Sequence, residues 1–99
     1  MSTRKQILDE ATKIITTDRE KSYGAVESNF SLIAAYWNVY LRGKKIRPED
    51  VAVMMALLKI ARIQTGRFKA DSYIDACGYI ALAGELSADP LGDDWGDTD

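Results

Sequence analysis

The fold turns on residues 48–86, PEDVAVMMALLKIARIQTG-RFK-ADSYIDACGYIALAGEL. Two long apolar segments flank a polar turn. Pro48 fits the first position of a helix, where its missing N–H costs nothing, and Glu49 and Asp50 suit the positive end of the helix dipole. The segment from Val51 to Ile63 is apolar nearly all round, which predicts a central, buried helix closed by Gly66. A second helix is predicted from Ala70 to Leu86, with Pro90 beyond its end. Its small residues, Ala76, Cys77, Gly78, Ala81, Ala83 and Gly84, would let another element approach closely. The two glycines lower helix propensity, so close packing is expected to compensate at both.

Four charges interrupt these segments. Lys59 and Arg62 are three residues apart and share one helix face; Asp71 and Asp75, four apart, share another, with Tyr79 continuing that stripe. The connection GRFK is short enough to make an antiparallel hairpin. In such a hairpin Lys59 falls opposite Asp75, Arg62 opposite Asp71, and Tyr79 opposite Met55. The pairs either fix the register of the hairpin or face a polar cleft that takes a ligand. As ligand groups, the cations would meet phosphate and the carboxylates could hold Mg²⁺ through water.

Outward from the hairpin, two more helices are expected. Ile7, Leu8, Ala11, Ile14 and Ile15 recur at helical spacing over Thr3–Thr17, with Ser2 or Thr3 as N-cap. Tyr23-Gly24 reads as a turn with positive φ at the glycine. A helix follows from Val26 to Leu41, with Phe30, Ile33, Ala34, Trp37, Tyr40 and Leu41 as its apolar stripe. Tyr36, Trp37 and Tyr40 are expected in the core or on an oligomer surface. No strand pattern competes. The predicted fold is all-α: a compact four-helix bundle over residues 1–88, with antiparallel neighbours, and a disordered acidic tail over 89–99.

A chain of 99 residues accommodates one modest core. Burial of further surface in a homo-oligomer is therefore expected. There is no histidine and a single cysteine. That removes the commonest general base and the commonest transition-metal ligand, and with them a disulfide framework. Chemistry would rest on carboxylates, Lys, Arg, Tyr or backbone groups, with no cofactor implied for certain and a hard cation such as Mg²⁺, held by carboxylates, compatible with them. The longest apolar run is too short to span a bilayer and no secretory signal is visible, so a cytoplasmic protein without a membrane partner is expected. The last eleven residues hold five Asp and no base, leaving 13 basic against 10 acidic residues in the body. A body this mildly basic attracts small anions but lacks the footprint of a nucleic-acid binder.

The segment DREKSYG, residues 18–24, is a second candidate region, because Arg19, Lys21 and Tyr23 combine cations with an aromatic ring in a loop. Together, DREKSYGAVESNFSLIAAYWNVYL, PEDVAVMMALLKIARIQTG and KADSYIDACGYIALAGEL resemble a family of small proteins of unknown function found mainly in bacteriophages and prophages. The pattern Y-G, N-F, K-x-x-R and D-x-x-x-D-x-x-G-Y is also similar to the phage nucleotide-modification-associated domain. More distantly it looks like the all-α nucleoside triphosphate pyrophosphohydrolases, which bind Mg²⁺ through acidic residues on facing helices and work as oligomers. The resemblance implies a ligand site at Tyr23, Gly24, Asn29, Lys59, Arg62, Asp71, Asp75 and Tyr79; from the loop reading, Arg19 and Lys21 would add phosphate contacts. The chain departs from the hydrolase pattern in one respect: Glu27 is followed only by neutral residues until Arg42, so the E-x-x-E pair is missing.

The expected function is binding of a nucleotide or nucleotide-derived signal by an oligomeric phage protein, sequestering it to counter host defence. The alternatives are a Mg²⁺-dependent nucleotide pyrophosphohydrolase, with Asp71 and Asp75 as metal ligands, and a protein-binding defence inhibitor that uses its acidic tail.

Overall fold

The computed structural model describes residues 2–18, 23–43 and 45–88. Arg19, Lys21 and the acidic tail lie outside the described residues. Within them the chain is all-α. Helix α1 spans Arg4–Lys13 and runs into a π-helical turn at Ile14–Asp18; α2 spans Tyr23–Tyr40, α3 Pro48–Thr65 and α4 Ala70–Ser87. The α3–α4 hairpin is the backbone of the molecule. Helix α1 packs on α4, and α2 packs on α3.

Helix α1 opens with a capping box. The Thr3 hydroxyl accepts the Gln6 N–H at 3.2 Å, and the Gln6 side chain accepts the Thr3 N–H at 2.8 Å. Regular helix ends at Lys13, four residues before the expected Thr17. Threonine explains the change. The Thr12 hydroxyl donates to the Leu8 carbonyl at 2.9 Å, and the Thr16 hydroxyl to the Thr12 carbonyl at 2.5 Å. Such back-bonding draws carbonyls out of the regular ladder.

Helix α2 begins earlier than expected. Tyr23 and Gly24 are its first residues, so the predicted turn with positive φ is absent there. The left-handed backbone occurs at the other end of α2 instead, at Arg42 (φ 58°) and Gly43 (φ 92°). The following loop is clamped by one amide. Asn38 accepts the Ile46 N–H through Oδ1 at 2.8 Å and donates to the Ile46 carbonyl through Nδ2 at 3.2 Å. Asp50 then accepts the Arg47 N–H at 3.0 Å, closing the first turn of α3. Helix α3 has the predicted limits, but Gly66 leaves it in extended backbone (φ −134°, ψ −175°), a conformation open to any residue.

The core is small. Phe30 and Ala34 of α2, Val51 and Ala52 of α3, and Ala83 of α4 form one buried cluster, with Trp37, Ile46, Met55, Tyr79, Leu82 and Leu86 packed around it. Trp37 therefore joins the core edge. Tyr36 and Tyr40 do not; they stand 68% and 85% exposed. Helix α3 is not buried all round either. Val51, Ala52 and Ala56 are covered, while Val53, Met54, Leu57, Leu58 and Ile60 are exposed. The apolar sequence ran past what two neighbouring helices can cover.

Candidate functional site

A cavity of about 180 Å³ opens where α1 and its π turn meet α4. Its walls are apolar: Ala11, Ile14 and Ile15 on one side, Ile74, Gly78 and Leu82 on the other, with Val26 of α2 closing one end. The π turn matters here, because successive residues Ile14 and Ile15 both line the space. Gly78 sets the spacing. A Cβ at that position would come within 3.1 Å of the Ile15 Cγ2, so only glycine leaves this contact undisturbed. The close approach expected for small residues of α4 is thus real at Gly78. At Gly84 it is absent, since a Cβ there would meet nothing within 4 Å.

Two polar side chains reach the cavity, Asp75 and Tyr79. Both come from the predicted D-x-x-x-D-x-x-G-Y stripe of α4. Asp75 is held from across the hairpin by Lys59, whose Nζ lies 3.0 Å from its Oδ2. Both side chains are largely shielded, at 18% exposure for Lys59 and 33% for Asp75. The predicted lower rung of the ladder exists.

The upper rung does not. Among the described residues no ion pair joins Arg62 to Asp71, and both residues are exposed beside the loop that connects α3 to α4. Both residues stand in water, so each charge is solvated separately. Gly24 and Asn29 are exposed on α2 and do not line the cavity, although Val26 between them does. Tyr23 starts α2, with its side chain outside the described part. Of the ten predicted site residues the structure therefore brings Lys59, Asp75 and Tyr79 together.

The apolar half of the site, Ala11, Ile14, Ile15 and Val26, was invisible as a site in the sequence. Those positions read as ordinary core stripe. The one available hint was the Thr12–Thr16–Thr17 run, which weakens the helix where the cavity wall is needed.

No group of three His, Cys, Asp or Glu side chains converges among the described residues. The carboxylate in the cavity carries a lysine partner. Chemically, the site can accept a hydrogen bond through Asp75, offer or accept one through the Tyr79 hydroxyl, and present a cation at Lys59. No described helix is long and apolar enough to cross a membrane.

Residues 6–87 match the model of a domain of unknown function, DUF6378. The chain belongs to the DUF6378 family. The family match covers α1 to α4 and therefore all three residues of the polar cluster. Two phage proteins share the sequence. The Gene 55 protein of Mycobacterium phage L5 is 43% identical over 76 residues, covering 77% of this chain and 49% of its own length. The Gene 55 protein of Mycobacterium phage D29 is 38% identical over 85 residues, covering 86% of this chain and 56% of its own length. The chain thus spans about half the length of these curated relatives. No solved structure matches the fold. A phage-type family of unknown function, as the resemblance implied, is what these relatives support.

Proposed function

We propose that this DUF6378 protein binds a nucleotide or a related phosphorylated small molecule without turning it over. The observation that carries the reading is the cavity between α1 and α4, apolar in its walls and holding the shielded Lys59–Asp75 pair at its edge. At about 180 Å³ it is smaller than the roughly 300–1,000 Å³ of a site that swallows a drug-sized molecule. One end of a ligand enters, and a planar heterocycle suits the shape and the apolar lining. Asp75 accepts a ring or exocyclic N–H, Tyr79 fixes the orientation of the ring, and the sugar and phosphates remain outside. Lys59 and Arg62 on α3 supply cations toward that exterior. Arg19 and Lys21 add two more in the segment that follows the π turn in sequence.

Binding, rather than hydrolysis, is favoured by the pairing of Asp75 with Lys59. An ammonium at 3.0 Å neutralises the carboxylate that a divalent ion would need, and no third acidic group converges on it among the described residues. A phage protein that holds a nucleotide-derived molecule without consuming it would suit the sequestration of a host defence signal.

Isothermal titration of the purified protein against nucleoside monophosphates, triphosphates and cyclic nucleotides tests the proposal. At least one class is expected to bind, and Asp75→Asn is expected to weaken it tenfold or more. A panel without any binder refutes the reading. Release of pyrophosphate from a triphosphate in Mg²⁺ would replace it with the hydrolase.

A further inference from the structure

The face of the α3–α4 hairpin turned away from α2 is left uncovered by the described residues and is apolar through its middle, with Glu49 at one end of the α3 row and Lys69 at the start of the α4 row. On α3 it presents Val53, Leu57 and Ile60 at i, i+4, i+7 spacing; on α4 it presents Tyr73 and Ile80 at i, i+7 spacing, with Phe68 of the connecting loop stacked beside Tyr73 at a ring separation of 5.5 Å. These six side chains are between 36% and 66% exposed. Helical periodicity puts both rows on one side. The α2-facing side of α3 is marked by Val51 and Met55 and that of α4 by Asp75, Tyr79 and Leu82, and the exposed rows lie beyond the hairpin seam from them. The same side of α4 carries Cys77 and Gly84, and the space over Gly84 is open.

We infer that this face is the docking surface for a second copy of the chain. Two observations select that occupant. The first is area: at the exposures seen, the six side chains leave roughly 500 Å² of apolar surface uncovered, in the upper part of the roughly 300–600 Å² of a monomer's largest and often functional patch, and most of the ~800 Å² per partner of a stable interface. Second, the patch matches itself in shape. Helix α3 offers a ridge of large side chains, and α4 offers the low ground around Cys77 and Gly84. A two-fold axis lying in the interface and running along the helices sets the α3 ridge of one copy on the α4 trough of the other, in both directions at once. The product is a four-helix layer made of two hairpins, with both ligand cavities on its outer sides.

Sedimentation velocity and native mass spectrometry of the full chain test this, with circular dichroism as the check on folding. Wild-type protein is expected to be dimeric at micromolar concentration. Leu57→Glu and, independently, Ile80→Lys are expected to weaken the dimer a hundredfold or more with the helical signal retained. Val39→Glu, on the exposed stripe of α2, is expected to leave it dimeric. Cys77 should react slowly with a thiol reagent in the wild type and several-fold faster in the two disrupted variants. A monomeric wild type overturns the inference. So does a dimer that survives both hairpin substitutions or dissociates on Val39→Glu alone, since either result puts the interface elsewhere.

Discussion

Asn38 is the position at which one atom group controls the packing of a whole helix. Its amide makes both hydrogen bonds to the backbone of Ile46, at 2.8 and 3.2 Å, in a partly buried setting. Ile46 in turn packs against the core cluster of α2, α3 and α4. The clamp follows directly on two residues with positive φ, Arg42 and Gly43, so the loop reverses in a conformation that arginine disfavours. Asn38→Ala removes both bonds and leaves the N–H and C=O of Ile46 without a protein partner. Each such bond contributes about 0.5–1.5 kcal/mol net, so the substitution is expected to cost about 1–3 kcal/mol. For a domain of this size that is a fall in melting temperature of roughly 5–15 °C. Urea denaturation followed by circular dichroism gives the free energy. Asn38→Asp is the internal control: it keeps the acceptor for the Ile46 N–H and loses the donor to the carbonyl, so it should also destabilise. The consequence reaches the cavity, because Val26, which closes one end of it, sits three turns up the same helix. If both variants unfold within about 0.3 kcal/mol of wild type, the amide is not holding the loop and the argument fails.

Three further outcomes follow from the packing. Lys59→Met alone should cost about 1–3 kcal/mol, because it strands a half-shielded Asp75, whereas Lys59→Met with Asp75→Leu should recover most of that loss; a double-mutant cycle in urea reads the coupling, and additive single effects would show that the pair does not interact. Gly78→Ala gains up to about 1 kcal/mol of helix propensity but pushes on Ile15, so stability should change by less than about 1 kcal/mol while ligand affinity falls, as calorimetry would show. Val51→Ala removes two methyl groups from a side chain with no exposed surface and should cost about 2–3 kcal/mol by chemical denaturation; a loss under 0.5 kcal/mol would mean that the core collapses around it.

Much of this architecture could be read from local chemistry. Pro48, Glu49 and Asp50 marked the start of α3 because an N-terminal turn has specific requirements, and Thr3, one of the two N-cap candidates, did the same for α1. The Lys59–Asp75 contact was legible because a short antiparallel connection fixes which residues face each other. What failed were inferences that needed to know where neighbouring helices stop. Arg62 and Asp71 have the same register as the pair below them, yet both residues are exposed and water competes for both charges. Gly78 and Gly84 look alike in sequence, and only the position of Ile15 distinguishes a packed glycine from an open one. Tyr23-Gly24 has the composition of a turn, but helix α2 extends through it, which no local preference of glycine would indicate.

The two apolar surpluses of the chain have different meanings, and the Lys59–Asp75 pair separates them by lying on one side alone. On the α2 side of the hairpin the surplus is concave. It ends in a cavity with a carboxylate and a phenol, the carboxylate paired with an ammonium, and a concave apolar surface with few polar groups is how proteins hold small molecules. On the opposite side it is an open, mostly apolar ridge and trough, which suits another protein surface and offers a small polar ligand little to bind. Lys59 and Asp75 belong to the first side only. Their exchange for an apolar pair should therefore abolish ligand binding while leaving self-association intact, and Leu57→Glu should do the reverse. If instead each substitution removed both properties, the two faces would be one cooperative unit, and the cavity would have to be reinterpreted as part of the interface.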